Sequence, residues 1–145
     1  MSEVEEKVRS VLDGSQTLYV STAAASGEPW VAGAFFAPSD LFTLGLVLEV
    51  TGKTLANIKT NRRAAVVVSS GSPFDVFLQG LADVEIVDDD AGREDVKQAL
   101  LSRAPQIEPF FGIPLEAVRL RLRSWRATDV PAGWLPGKEL QAPGS

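Results

Sequence analysis

Along most of this chain hydrophobic and polar positions alternate with a period of two, and that period predicts strands. Thr17–Ala23 (TLYVSTA) and residues 30–37 (WVAGAFFA) flank the turn Ser26-Gly27-Glu28-Pro29 and read as a hairpin. Pro38-Ser39-Asp40 turns into residues 41–49, where Phe42, Leu44, Leu46 and Leu48 share one face and Thr43, Gly45 and Val47 the other. Residues 64–69 (AAVVVS) form a buried strand that Gly71-Ser72-Pro73 ends. Residues 75–87 form a long strand with Gly80 at its middle, where a glycine marks a bulge, a bend or the close approach of another group. In residues 118–128, Val118, Leu120 and Leu122 face in while Arg119, Arg121 and Arg123 face out.

Helical spacing is confined to short stretches. Ser2-x-x-Glu5 is a capping pattern, and Val4, Val8, Val11 and Leu12 follow until Gly14, so residues 1–14 open the chain as an amphipathic helix. Leu55 and Ile58 imply a short helix over residues 54–61, and Val96, Ala99 and Leu100 one over residues 92–103. The triple Asp88-Asp89-Asp90 ahead of the latter suits a helix N-terminus and is assigned no metal. A short turn carries Phe110-Phe111, and the tail, residues 131–145, with three Pro and three Gly, is expected to be irregular or clasped onto a partner. Six strands at short spacing with small helices predict a mainly β fold, an antiparallel barrel in which closure removes exposed edges.

The chain has 145 residues, enough for a single domain over 1–145 with its own core. A net charge of −5 argues against nucleic acid as a partner. No 18-residue apolar run and no leader pattern is visible, so no membrane partner and a cytoplasmic location are expected. The absence of Cys and His removes disulfides, thiolate nucleophiles, serine triads and imidazole metal ligands. Any catalysis must then use a reactive group borrowed from a cofactor.

One motif invites phosphate chemistry. In GLVLEVTGKT, Gly52-Lys53-Thr54 ends like a P-loop, but the position that must hold the first glycine is Val47, and the intervening residues belong to a strand. What remains is a hydroxyl, a glycine and a lysine at a strand-to-helix junction, suited to one monophosphate at a helix N-terminus.

Taken in order, TLYVSTAAASGEP, WVAGAFF, LFTLGLVLE, TGKTLANIKTNRRAAVVV and FLQGLADVEIVDD resemble the flavin-binding split-barrel family typified by pyridoxamine 5'-phosphate oxidase, from Thr17 to about Asp129. The resemblance implies a six-stranded antiparallel split β-barrel that binds FMN. It places Thr51 and Lys53 on the FMN phosphate, with the backbone of Gly52 and Thr54 beside them. It lays the strand carrying Ala32, Gly33 and Ala34 along the isoalloxazine ring, although those small residues would equally serve close strand packing. Gln79 would donate to the ring or ribityl chain, or else meet solvent; Trp125 would lie near the flavin, or in the core or a dimer contact. Gly52 stands where the family has an arginine, and Arg62 or Arg63 could replace that charge. The family's C-terminal substrate segment contains a His that this chain lacks, so pyridoxamine phosphate oxidation itself is not expected.

The functional expectation is an FMN-dependent oxidoreductase of an unassigned small molecule. The alternatives are a non-catalytic module that binds or senses flavin or the deazaflavin F420, an F420-dependent reductase, and a structural dimer whose site has decayed. A barrel this small is filled by its own side chains, so a flat ring must lie outside and be covered. A homodimer with the sites in its interface is expected to supply the cover. Phe110-Phe111-Gly112-Ile113 and Trp134-Leu135 are its candidate surfaces, with Trp125 nearby. Arg119, Arg121, Arg123 and Arg126 form either a solvated strand face, or a subunit interface or the entrance for an anionic substrate.

Overall fold

Strand-forming residues assemble into one curled antiparallel sheet in the computed structural model, which describes residues 1–144. The strands are β1 Thr17–Ala23, β2 Pro29–Phe35, β3 Ala37–Asp40, β4 Thr43–Glu49, β5 Arg63–Val68, β6 Phe77–Ile86, β7 Leu115–Asp129 and β8 Trp134–Gln141. The helices are α1 Glu3–Asp13, α2 Lys53–Thr60 and α3 Asp90–Arg103, with a 3-10 segment Pro105–Gly112 before β7. The sheet runs β2-β1-β5-β6-β7-β4-β3, and β8 adds to β7. β2 and β3 are the two ends of that path, yet only Phe36 separates them in sequence. The chain itself therefore joins the sheet's ends, and the buried Phe36 is the corner.

The mainly β split barrel is as the sequence predicted, with two strands beyond the six counted there. β3 arises because Pro38-Ser39-Asp40, expected to turn, first pairs with β4 before a register shift. The other is a correction to the tail, which is not irregular. β8 pairs with β7 from Asp129↔Trp134 to Ser124↔Gln141, and its Gly137 packs so closely that a Cβ there would lie 2.7 Å from the Ala127 carbonyl oxygen. Pro and Gly in such a stretch mark an edge strand and a close approach as readily as a coil.

Fifteen-residue β7 is the spine: β6 lies along one side, and along the other β4 gives way to β8. A register shift opposite Leu81/Ala82 leaves Arg123 as the extra residue, so the inward set changes from Val118, Leu120 and Leu122 to Trp125 and Ala127. Trp125 is fully buried, and its indole Nε1 donates to the Leu41 carbonyl at 2.6 Å. A Cβ on Gly80 would come within 2.9 Å of that ring. Leu122 would lie closer still, at 2.6 Å, so the groups that need the mid-strand glycine are Leu122 and Trp125.

The main core fills the barrel, and α1 closes one side of it with Val8 and Leu12. Ser2 accepts from Glu5 N–H as the capping pattern anticipates. Lys7 Nζ lies 2.7 Å from Asp129 Oδ2, tying α1 to the end of β7. A second core under α3 gathers Val87, Val96, Leu100 and Ile107. Gly45 lets α3 approach β4, since a Cβ there would lie 3.3 Å from Val96. Asp89 caps α3 by accepting from Gly92 N–H at 2.9 Å, which accounts for the acidic run without a metal. No group of residues suited to holding a metal ion occurs among the described residues. None of the described helices is long and apolar enough to cross a membrane.

Candidate functional site

Hydrogen-bond alternation decides which way the backbone of β2 faces. Phe36 N–H donates to Gln16 O, and Ala24 N–H to Glu28 O, at the two ends of the β1–β2 ladder. Even-numbered residues of β2 therefore bond to β1, and the N–H and C=O groups of Val31, Gly33 and Phe35 point the other way. Extending the β3–β4 register from Ala37↔Gly45 would set Phe35 opposite Val47 and Gly33 opposite Glu49, but the ladder ends at Ala37. The two strands part, and the seam between them is a cleft of about 440 Å³. The split in the barrel is the candidate site.

Its walls come from five elements, β7 contributing Leu115. β2 contributes Trp30, Ala32, Gly33 and Ala34; β4 contributes Val47 to Glu49; α2 begins there with Gly52, Lys53 and Thr54; the 3-10 segment adds Phe110 and Phe111. Gly33 is exposed, and a Cβ on it would meet nothing closer than the Tyr19 ring at 3.9 Å. Packing does not require a glycine there. Gly52 is the N-cap of α2 and provides no side-chain cap, so the first-turn N–H groups have no side-chain acceptor. Asn57 fixes the helix on the barrel: its Nδ2 donates to Thr22 Oγ1 at 3.1 Å, both side chains being buried. Lys53 Nζ lies 4.8 Å from the Trp30 ring centroid and 3.7 Å from Glu28 Oε1.

The structure thus brings Ala32, Gly33, Ala34, Gly52, Lys53 and Thr54 into one cleft. Thr51 is exposed on the turn just before α2 and is not among the residues that line the cleft. Gln79 does not come to it either: it is exposed on the outer face of the sheet, in a separate depression of about 330 Å³ with Tyr19, Leu81 and Arg126. Trp125 is excluded from contact with any ligand by its burial in the barrel. Arg62 and Arg63 follow the far end of α2, where Arg63 leans toward Asp83, so neither replaces the arginine missing at Gly52.

The arginine series is a paired face. Glu85 meets Arg121 at 2.8 Å and Arg119 at 3.4 Å, Asp83 meets Arg123 at 3.4 Å, and Glu139 meets Arg126 at 3.2 Å. The hydrogen bond from Arg121, helped by Arg119, holds the Glu85 carboxyl below its ordinary range against the opposing effect of burial. None of these arginines lines the cleft.

Sequence reasoning missed Trp30, Glu28, Glu49 and Asn57 as parts of the site. The apolar run Phe110-Phe111-Gly112-Ile113, expected from sequence at a dimer contact, contributes Phe110, Phe111 and Ile113 to the cleft wall. Trp30 was legible only as a strand residue.

The sequence matches the family described as Pyridoxamine 5'-phosphate oxidase over residues 4–127. No curated protein matches it. Among solved structures it is similar to the heme binding protein from Mycobacterium smegmatis, with TM-score 0.81 and 14% identity over 97% of this chain and 59% of that one. It is also similar to the heme storage protein HutZ from Vibrio cholerae, with TM-score 0.69 and 17% identity over 83% and 91% of the two chains. A third is a putative pyridoxamine 5'-phosphate oxidase from Listeria innocua, with TM-score 0.70 and 17% identity over 86% and 98%. The chain spans about three fifths of the Mycobacterium smegmatis protein's length, and identities this low establish a shared fold alone.

Proposed function

Because the chain belongs to the pyridoxamine 5'-phosphate oxidase family, we propose that it holds FMN in the seam between β2 and β4 and acts as a flavin-dependent oxidoreductase on a small molecule. One observation carries the reading: a free backbone edge at an uncrowded glycine, Gly33, faces the start of α2 and Lys53 across an apolar cleft. These residues fit the cofactor's chemistry. The N–H and C=O groups of Val31, Gly33 and Phe35 supply donors and acceptors for the polar edge of a flat heterocycle. Phe110 and Phe111 exclude water from the ring. Lys53, the first-turn N–H groups of α2 and the Thr54 hydroxyl are donors for a monophosphate. Bound FMN supplies hydride and electron transfer; with no Cys or His, the chain's own residues bind, orient and shield.

FMN is favoured over F420. Glu28 and Glu49 stand beside the one lysine at the seat, and no arginine lines the cleft to receive a polyglutamate tail. Heme is the second reading, because two of the similar structures are described as heme proteins. The chain has no His or Cys, and its single Tyr is Tyr19, which lies in the outer depression and not in the seam. Heme ligation would therefore fall to Tyr19 or the exposed Met1, neither of which lines the seam.

A second copy of the chain is the proposed cover for the outer sheet face. Tyr19, Val31 and Leu81 are 58%, 62% and 53% exposed there, an apolar group that a two-fold contact would bury. Trp134, assigned to that contact from sequence, is instead buried between Lys7 and Lys138, and Trp125 lies in the core. The visible spectrum of the purified protein, before and after addition of FMN, tests the reading. Flavin bands that stay with the protein through gel filtration are expected; a heme spectrum, or no retained flavin, overturns it. Turnover with reduced nicotinamide then separates an enzyme from a binding or sensing module.

A further inference from the structure

The ammonium at the anion seat is already engaged by the chain's own carboxylate. Lys53 Nζ lies 3.7 Å from Glu28 Oε1 while resting over Trp30, with Glu28 drawn from the β1–β2 turn and Lys53 from the first position of α2. Glu49 also stands at the helix start, its Oε2 3.6 Å from where a Cβ on Gly52 would lie. An arriving anion must replace the first carboxylate and tolerate the second.

We infer that Glu28 is an internal competitor for the anion seat: it holds Lys53 over Trp30 until a ligand's phosphate takes the place of its carboxylate, and so sets how strongly the cleft prefers phosphorylated ligands. The inference rests on the anion seat of the proposed function. The pair can exchange because both side chains are substantially exposed, 48% for Lys53 and 71% for Glu28, and exposed pairs contribute little. A phosphate carries more charge than a carboxylate and also takes N–H groups of the α2 first turn, which Glu28 does not contact. The arginine absent at Gly52 makes the competition matter, since Lys53 is the only basic side chain among the described residues that line the cleft.

Pyrophosphate is the probe for the seat by itself, followed by NMR at the Lys53 and Thr54 amides and the Trp30 indole. The other two tryptophans are buried, so the Trp30 signal is separable. Glu28→Gln is expected to tighten pyrophosphate and FMN about two- to fivefold, the size of an exposed ion pair, and to leave riboflavin unchanged. In a Lys53→Ala background the same change is expected to have no effect. Unchanged or weaker phosphate binding in Glu28→Gln, an equal gain for riboflavin, a gain that persists without Lys53, or no pyrophosphate response in any variant overturns the inference. If pyrophosphate behaves as expected and neither flavin binds, Glu28's role stands and the flavin reading falls.

Discussion

Two glycines in similar strand positions have opposite reasons, and side-chain neighbours distinguish them. Gly80 is required by Trp125 and Leu122, the nearer at 2.6 Å from an added Cβ; Gly33 is required by nothing in the chain. Gly80→Ala is expected to destabilise by about 1–3 kcal/mol through overpacking. Gly33→Ala is expected to leave stability unchanged or raise it by up to about 1 kcal/mol, the usual cost of a strand glycine, while weakening flavin binding. Thermal melts with flavin titrations check both, and a destabilised Gly33→Ala would remove the argument that a ligand explains the residue. At the opposite end of the cleft, Lys53→Ala should cost on the order of 1.5–3 kcal/mol of FMN affinity, as for a charge-assisted hydrogen bond. Fluorescence titration of FMN measures it; unchanged affinity would contradict the phosphate assignment.

Elements here are located by a few polar ties laid over apolar packing. Asn57 and Thr22 hold α2 against β1, which keeps its uncapped start aimed at the seam. α1 is held by Lys7 and Asp129, and Ala132 N–H also donates to Asp129. The hydrogen bond from Lys7, followed by that from Ala132, lowers the Asp129 carboxyl below its ordinary range although burial opposes this. A lowered carboxyl contributes stability that is fully present above the unfolded value of about 3.9 and lost as pH falls through the folded one. Acid unfolding of wild type and Asp129→Asn should therefore converge at low pH and diverge above it, wild type being the more stable. A stability gap independent of pH would show that the tie acts through packing alone.

At the scale of the whole molecule, the outer sheet face combines exposed apolar residues with paired charges: Tyr19, Val31 and Leu81 beside the Arg126–Glu139 pair. Leu81→Glu introduces a charge where the proposed two-fold contact would bury it. Light scattering should then report a monomer in place of a dimer, with monomer stability changed by about 0.5 kcal/mol or less, as for exposed positions. A wild-type monomer at micromolar concentration, whatever its flavin affinity, would defeat the two-fold contact.

Periodicity and turn chemistry are local, and so the sequence by itself determined most of the elements, an antiparallel barrel and the GKT junction before α2, while the split-barrel class followed from the resemblance of its motifs in order. The inward set of β7 was legible as far as Leu122 because alternation holds until the register shift. Tertiary structure decided the rest. Trp125 changes from a site candidate to a core residue because the extra Arg123 reverses the parity of everything after it. The tail becomes β8 because the second half of β7 has an unpaired side once β4 ends, a fact about neighbours that composition cannot report. Gln79 and Lys53, both polar and close to glycines in sequence, part company because strand alternation turns Gln79, between the buried Leu78 and Gly80, to the outer face, whereas Lys53 begins α2 at the seam. The seam itself exists because the β3–β4 ladder ends at Ala37 and is not continued by β2, and where a ladder ends depends on the course of two strands together.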